Sequence, residues 1–341
     1  MKTRPYILAI ESSCDETSAA VLQGNRVCSN IIATQKVHEK YGGVVPELAS
    51  RAHQSNIVPV VTQAVNEAGI EMSQLDAIAF TQGPGLMGSL LVGASFAKSL
   101  SFALNVPLIA VHHMRAHILS HFIVEKQEDI KPSFPFLSLT VSGGHTQIVL
   151  VASASDMKVI GETIDDAAGE AFDKAAKVLG LNYPGGPLID SHAAGGDADR
   201  YSFTTPRLSD LRYSFSGLKT SLLYFLRDEM AKDASFIERE LKHICASYQK
   251  TLVDYLLLNF SKAADQYGIQ DLCLAGGVSA NSELRRKFYL MCEKQGRNAF
   301  IPPFEYCTDN AAMIGIAAYY QYMSGDFADL SAAPKPSWKV G

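Results

Sequence analysis

Residues 6–10 form a short apolar run, a polar stretch Glu11-Ser12-Ser13-Cys14-Asp15-Glu16 follows, and residues 17–22 form a second apolar run ending at Gly24-Asn25. Two such runs about a polar stretch predict a β-hairpin with a polar loop at its start. Over residues 54–68 the apolar positions Ile57, Val60, Val61, Ala64 and Val65 recur at helical spacing and predict a helix. Residues 77–80 read as a buried strand running into Gly83-Pro84-Gly85, residues 86–104 as a helix and residues 107–111 as a strand.

The pattern then starts again. Residues 135–141, 146–151 and 157–161 read as strands, with the turn Ser142-Gly143-Gly144-His145 between the first two. Residues 167–179, ended by Gly180, and the long stretches 218–230 and 237–267 read as helices. A strand at 271–275 runs through Gly276-Gly277 into a helix from Asn281, and Asp309 opens a last helix through Tyr320. Two hairpin-led α/β halves predict a duplicated unit with a ligand cleft between two lobes. We expect the first lobe over residues 1–110, with the helix near 308–330 packed back on it. The second is expected over 111–307, with a helical insertion at about 200–267. Residues after Gly325, with Pro334 and Pro336, read as a loosely packed extension, and 331–341 as a tail.

At 341 residues the chain is far longer than the commonest domain of roughly 100–150, which suits two lobes. Apolar residues at 47% and charged residues at 19% are ordinary globular usage and exclude collagen-like and disordered classes. The apolar run after Arg4 ends at Glu11, shorter than a secretory segment requires, and the nearest candidate for a membrane span, residues 100–111, is broken by Asn105 and Pro107. The six cysteines show no C-x-x-C spacing and read as reduced thiols, so a cytoplasmic protein is expected. The net charge of −5 offers no extended basic surface for nucleic acid.

His113 and His117 are four apart on a predicted helix, share one face and can bind one metal, with His121 continuing the row. A histidine pair at this spacing also packs or caps, and a third ligand is needed to decide. The intervening Met114, Arg115 and Ala116 supply none of the glutamate of a zinc-peptidase helix. Ser142-Gly143-Gly144-His145-Thr146 and Gly276-Gly277-Val278-Ser279-Ala280-Asn281 both expose backbone N–H groups suited to an anion, and both are also ordinary turns. Neither is a Walker A loop or a full G-x-G-x-x-G. Asp173 and Lys174 lie on a helix, and Asp190 follows the turn Pro184-Gly185-Gly186-Pro187. Those carboxylates suit ribose hydroxyls, or an ion pair and a helix cap.

Together, Glu11-Ser12-Ser13-Cys14-Asp15-Glu16-Thr17, Tyr41-Gly42-Gly43-Val44-Val45-Pro46-Glu47, Gly83-Pro84-Gly85, His113-x-x-x-His117, Ser142 to Thr146, Gly276 to Asn281 and Thr308-Asp309-Asn310 resemble the tRNA N6-adenosine threonylcarbamoyltransferase family, in its bacterial branch. The family was formerly labelled O-sialoglycoprotein endopeptidase. The motifs run in order from about Tyr6 to Tyr320.

The resemblance implies a duplicated actin-like, ribonuclease-H-like two-lobe α/β fold with an interlobe cleft. It implies transfer of the threonylcarbamoyl group from threonylcarbamoyl-AMP to N6 of the adenosine 3′ of the anticodon, forming t6A in tRNAs that read codons beginning with A. It supplies the third metal ligand, placing one divalent ion, iron (Fe2+) ahead of zinc, on His113, His117 and Asp309. It places the adenylate on Thr140, Val141, Ser142, Gly143, Gly144, Asp173, Gly186, Asp190 and Asn281. Glu11 and His145 are the candidates to take the N6 proton. Many bacterial members carry an acidic residue and glycine where this chain has Arg115-Ala116, which are not ligand positions. The implied partners are tRNA, a paralogous actin-like subunit docking near the helix at 86–104, and a small P-loop ATPase. Arg212, Lys219, Arg285, Arg286 and Lys287 are the local basic candidates for tRNA. Two other classes remain as alternatives: an actin-like nucleotide switch that transfers nothing, and a metallopeptidase.

Overall fold

The structure is a computed structural model that describes residues 2–125, 130–206, 208 and 210–340. The chain divides into two compact units. Unit 1 comprises Met1–Phe134, Val151–Lys158 and Pro302–Gly341, and unit 2 comprises Pro135–Leu150 and Val159–Ile301.

Unit 1 opens with β1 (Tyr6–Glu11), β2 (Glu16–Gln23) and β3 (Arg26–Thr34), an antiparallel meander. Helix α1 (Pro46–Glu67) starts eight residues before the apolar periodicity does, with a proline in its first turn, where a missing N–H costs nothing. Then come β4 (Ala77–Gly83), α2 (Met87–Leu104), β5 (Leu108–His112) and the short α3 (His113–Leu119). The sheet order is β3-β2-β1-β4-β5, with β4 parallel to β1 and β5 parallel to β4. Helix α2 is long and apolar enough to cross a membrane by length and composition, and it packs on β4 and α1.

Unit 2 repeats the plan with β6 (Phe136–Val141), β7 (Thr146–Val151) and β8 (Met157–Glu162). Helices α4 (Ala168–Val178), α5 (Gly185–Ala193), α6 (Ser216–Met230) and α7 (Phe236–Tyr267) follow. Then come β9 (Asp271–Ala275), α8 (Ser282–Gln295) and the three-residue β10 (Asn298–Phe300). Its sheet order, β8-β7-β6-β9-β10, matches that of unit 1 strand for strand. The chain then re-enters unit 1 as α9 (Ala311–Ser324), which lies on β1 and β2. Ser18 Oγ on β2 accepts from Ala311 N at 2.9 Å, and Gly315 fits against Leu22, where an added Cβ would stand 2.2 Å from a methyl carbon.

Two departures from the sequence reading matter. Residues 111–134 fall in unit 1, because α3 packs against β5 and α9. The stretch after Gly325 is not loosely packed. Ala328 N donates to Leu108 O, Lys335 N to Gln82 O and Gly85 N to Pro336 O, so the extension is hydrogen-bonded along the ends of β5 and β4. The strands β3 and β10 escape the apolar pattern because an edge strand and a three-residue strand present few buried positions.

The core of unit 1 gathers Leu8, Ile10, Val61, Ile78 and Phe80 between the sheet and α1 and α2. Phe80→Ala empties a fully buried aromatic position and is expected to cost about 3–5 kcal/mol, read as a lowered urea midpoint with an unchanged slope.

Candidate metal centre and anion-binding loops

Helix α3 begins directly at the end of β5, so His113 is the first helical residue and His117 lies one turn on, on the same face. Asp309 precedes α9, whose first turn is capped by Asn310, with Oδ1 accepting from Met313 N at 3.0 Å. That cap and the Ser18 contact bring Asp309 to the histidines. His117 Nε2 lies 3.1 Å and His113 Nε2 3.4 Å from Asp309 Oδ1, and the rings meet edge-on with centroids 4.8 Å apart. The three ligand atoms lie within 4.8 Å of one another.

The surroundings explain which nitrogen points inward. Glu11 is fully buried at the end of β1. Its Oε1 accepts from Ser13 N, and its Oε2 accepts from Thr81 Oγ1 at 2.6 Å and from His113 Nδ1 at 3.1 Å. The carboxylate therefore keeps the His113 proton on Nδ1 and turns Nε2 toward Asp309, the outer-shell arrangement that orients metal-binding histidines. Burial alone would lower the His113 pKa, but Asp309 and Glu11 outweigh it and hold it well above the ordinary value. His117 is pushed down, first by burial. Burial likewise opposes ionisation of Asp309, but the two histidines hold its pKa far below the usual carboxylate range. Glu16 nearby is pushed up to about 10 by burial and by Asp309 and Asp15.

Two carboxylates gathered about two imidazoles, with no thiolate among them, form a donor set of the kind that takes a divalent cation. The donor spacings also suit one. Ligands at about 2.0–2.2 Å from a divalent ion stand roughly 3.0–3.5 Å apart, the range of the two His–Asp separations. The Asp309 side chain keeps 23% of its surface exposed, so the set is not closed on that side. His113, His117 and Asp309 thus fit a divalent metal with positions left for another ligand.

In unit 2 the candidate substrate residues meet around helix N-termini. Thr140 and Val141 end β6, and Ser142 to Gly144 form the turn into β7, with Ser142 N donating to His145 O and His145 N to Ser142 Oγ. The Gly143 and Gly144 positions border open space. The start of α4 presses on this turn. Gly169 N donates to Ser142 O, and a Cβ on Gly169 would come 2.6 Å from that oxygen. From the other side Gly276, at φ +83°, approaches Val141 so closely that a Cβ would stand 2.4 Å from its carbonyl oxygen.

Each polar candidate is also a helix cap. Asp173 Oδ1 accepts from Gly185 N at 2.7 Å at the start of α5, next to Gly186, and burial pushes the Asp173 pKa up. Asp190 accepts from Ser282 N, Ser282 Oγ and Gln249 Nε2. Asn281 caps α8 through Leu284 N and donates Nδ2 to Gln249 Oε1 at 3.0 Å. Gln249, buried on α7, links Asp190 and Asn281 and has no motif that sequence reading could have found.

The basic candidates are partly used by the protein itself. Arg212 pairs with Asp210, Arg286 with Glu283, and Lys287 with Asp254 and Glu283. Arg285 Nη1 donates to Ser279 O at 3.3 Å.

A family model for tRNA N6-adenosine threonylcarbamoyltransferase matches residues 26–316. The chain is 59% identical to the tRNA N6-adenosine threonylcarbamoyltransferase of Christiangramia forsetii and 56% identical to that of Porphyromonas gingivalis, over 98% of each chain in both cases. Among solved structures it resembles full-length HypF at a TM-score of 0.62 and 14% identity, over 95% of this chain and 47% of that one. It resembles component A of the (R)-2-hydroxyglutaryl-CoA dehydratase of Acidaminococcus fermentans at 0.53 and 14%, over 93% and 99%. Those likenesses bear on the fold alone, a duplicated actin-like α/β fold.

Asp190→Ala strands the Ser282 N–H and the Gln249 amide, so a stability loss of about 1–3 kcal/mol is expected together with weakened AMP binding. Calorimetric titration with AMP at a temperature where the variant is folded separates the two effects.

Proposed function

This chain belongs to the tRNA N6-adenosine threonylcarbamoyltransferase family, and from that premise we propose how its residues carry the transfer. The threonylcarbamoyl group passes from threonylcarbamoyl-AMP to the exocyclic N6 of the adenosine just 3′ of the anticodon, in tRNAs that read codons beginning with A. A bond forms between N6 and the carbamoyl carbon and the bond from that carbon to the phosphate oxygen breaks. AMP leaves and N6 gives up a proton. An exocyclic adenine amine is a weak nucleophile, so the rate must come from positioning and from stabilising charge on the departing phosphate. The observation that carries this reading is the two-histidine, one-aspartate set in a chain that such a transferase matches over 98% of its length.

His113, His117 and Asp309 hold one divalent metal; two imidazoles and a carboxylate without thiolate suit iron or zinc, and the family resemblance puts iron ahead. When bound, that ion supplies Lewis-acid stabilisation of negative charge. Glu11 orients His113 through Nδ1. With both oxygens already accepting and no exposure, it is an orienting residue rather than the acceptor of the N6 proton. His145, half-buried beside the glycine turn, keeps that assignment. The backbone of Ser142 to Gly144, at the N-terminus of α4, receives the adenylate phosphate, where N–H groups favour an anion. Asp173, Gly186, Asp190 and Asn281 hold the nucleoside part with the same groups that cap α5 and α8.

The protein works in the cytoplasm on tRNA. It acts with a paralogous actin-like subunit and a small P-loop ATPase, and α2, which leaves Met87, Leu91 and Phe102 exposed, is the face assigned to the paralogue. With a net charge of −5, and with Arg286 and Lys287 among its basic candidates already ion-paired, the chain alone should bind tRNA weakly.

His117→Ala is expected to lose bound metal and transfer together, measured by elemental analysis and by nucleoside mass spectrometry of unmodified tRNA incubated with threonylcarbamoyl-AMP. Full metal occupancy in the His113→Ala/His117→Ala double variant would remove the assignment. In the same assay the chain alone should give little multiple turnover, and addition of the two partner proteins should restore it.

A further inference from the structure

The C-terminal stretch is hydrogen-bonded to β4 and the loop after it, and reaches the N-cap of α3, the helix that carries His113 and His117. Gln82 Nε2 on β4 donates to Ala333 O at 2.8 Å, and Lys335 N donates to Gln82 O at 2.7 Å. Gly85 N donates to Pro336 O at 3.2 Å. Exposure alternates along residues 333–340, with Pro334, Pro336, Trp338 and Val340 the less exposed positions and a turn at Pro336–Ser337. The fit is close at Gly83, where a Cβ would stand 1.9 Å from the carbonyl oxygen of Lys335. This stretch follows β4 to its end and delivers Trp338 onto His112, with ring centroids 4.6 Å apart, while Lys335 Nζ lies 4.3 Å from the Trp338 ring centroid.

His112 is the N-cap of α3. Its Nδ1 accepts from Met114 N at 3.1 Å, and the residue is 3% exposed. The helix it caps has only seven residues, too few to hold its shape in water without tertiary support. Its first residue is His113, whose Nε2 must stay beside Asp309. We propose that residues 333–340 form a strap that holds α3 in register for metal binding, with Trp338 as the positioning residue that acts through His112 on His113. Without the indole, the cap is free to leave Met114 N and the first turn of α3 can fray, carrying His113 away from Asp309. The strap and the three metal ligands all belong to unit 1, so its effect belongs to the metal and not to the nucleotide. The inference rests on the metal reading above.

Three proteins test it: the full chain, Trp338→Ala and Trp338→Phe, each stripped with chelator and titrated with Zn2+ against a chromophoric competitor. The variant without a ring is expected to bind zinc at least about tenfold more weakly, in the range seen when outer-shell partners of metal ligands are removed. Phenylalanine should restore most of the affinity, and AMP binding should be the same in all three. A folded Trp338→Ala protein with wild-type zinc affinity overturns the strap. Failure of the unmodified chain to bind zinc or Fe2+ overturns instead the metal reading beneath it. Should Trp338→Ala not fold, the unmodified chain still decides, because Trp338 is the only tryptophan. Zinc is spectroscopically silent, so its addition should change Trp338 emission and acrylamide quenching only through the coupling to α3, and an unchanged signal contradicts the proposal.

Discussion

Glu11 and Asp309 face the two ring nitrogens of the buried His113, and neither can be moved without taking a partner from that ring. That constraint organises unit 1. The polar loop after β1 must turn so that Ser13 can cap Glu11, β4 must present Thr81 to the same carboxylate, and α9 must begin where Asp309 reaches both histidines. Hydrogen bonds from Ser13, Thr81 and His113 make the buried Glu11 tolerable. A purely structural histidine pair would not need a second carboxylate behind the first ring.

Unit 2 solves a different problem with the same topology. An anion needs exposed N–H groups, and helix N-termini supply them once the chain can approach closely. Gly169 and Gly276 permit that approach, each replacing a Cβ that would strike a carbonyl oxygen on the Val141–Ser142 stretch. The carboxylates that suit a ribose are held by backbone N–H groups of the next helix: Asp173 by α5, and Asp190 by α8 with help from Gln249. On the proposed reading, binding and stability share residues there, and a substitution at either aspartate would report on both.

Much of this was legible in the sequence, for local reasons. The repeated hairpin shows in the apolar runs at 6–10 and 136–141, and each glycine loop follows a short buried strand. The spacing of His113 and His117 needs only the helical period. What stayed hidden depends on residues distant in the chain. Asp309 joins the histidines only through the family resemblance or the fold, since it lies 192 positions from His117. Gln249 is an ordinary polar residue of a long helix until Asp190 and Asn281 meet it. A proline-containing terminus looks dispensable until Gly83 is found pressed against Lys335 and Trp338 on His112. The same tertiary contacts place residues 111–134 in unit 1, against a boundary drawn from strand order alone.

The central claim is the identity of the ligands around the ion, and X-ray absorption at the metal edge of the loaded chain tests it most directly. Nitrogen and oxygen scatterers at about 2.0–2.2 Å, with the outer-shell pattern of two imidazoles, are the predicted result. A sulfur scatterer at about 2.3 Å, from Cys14 in the polar loop or Cys307 before Asp309, would contradict the assignment of His113, His117 and Asp309.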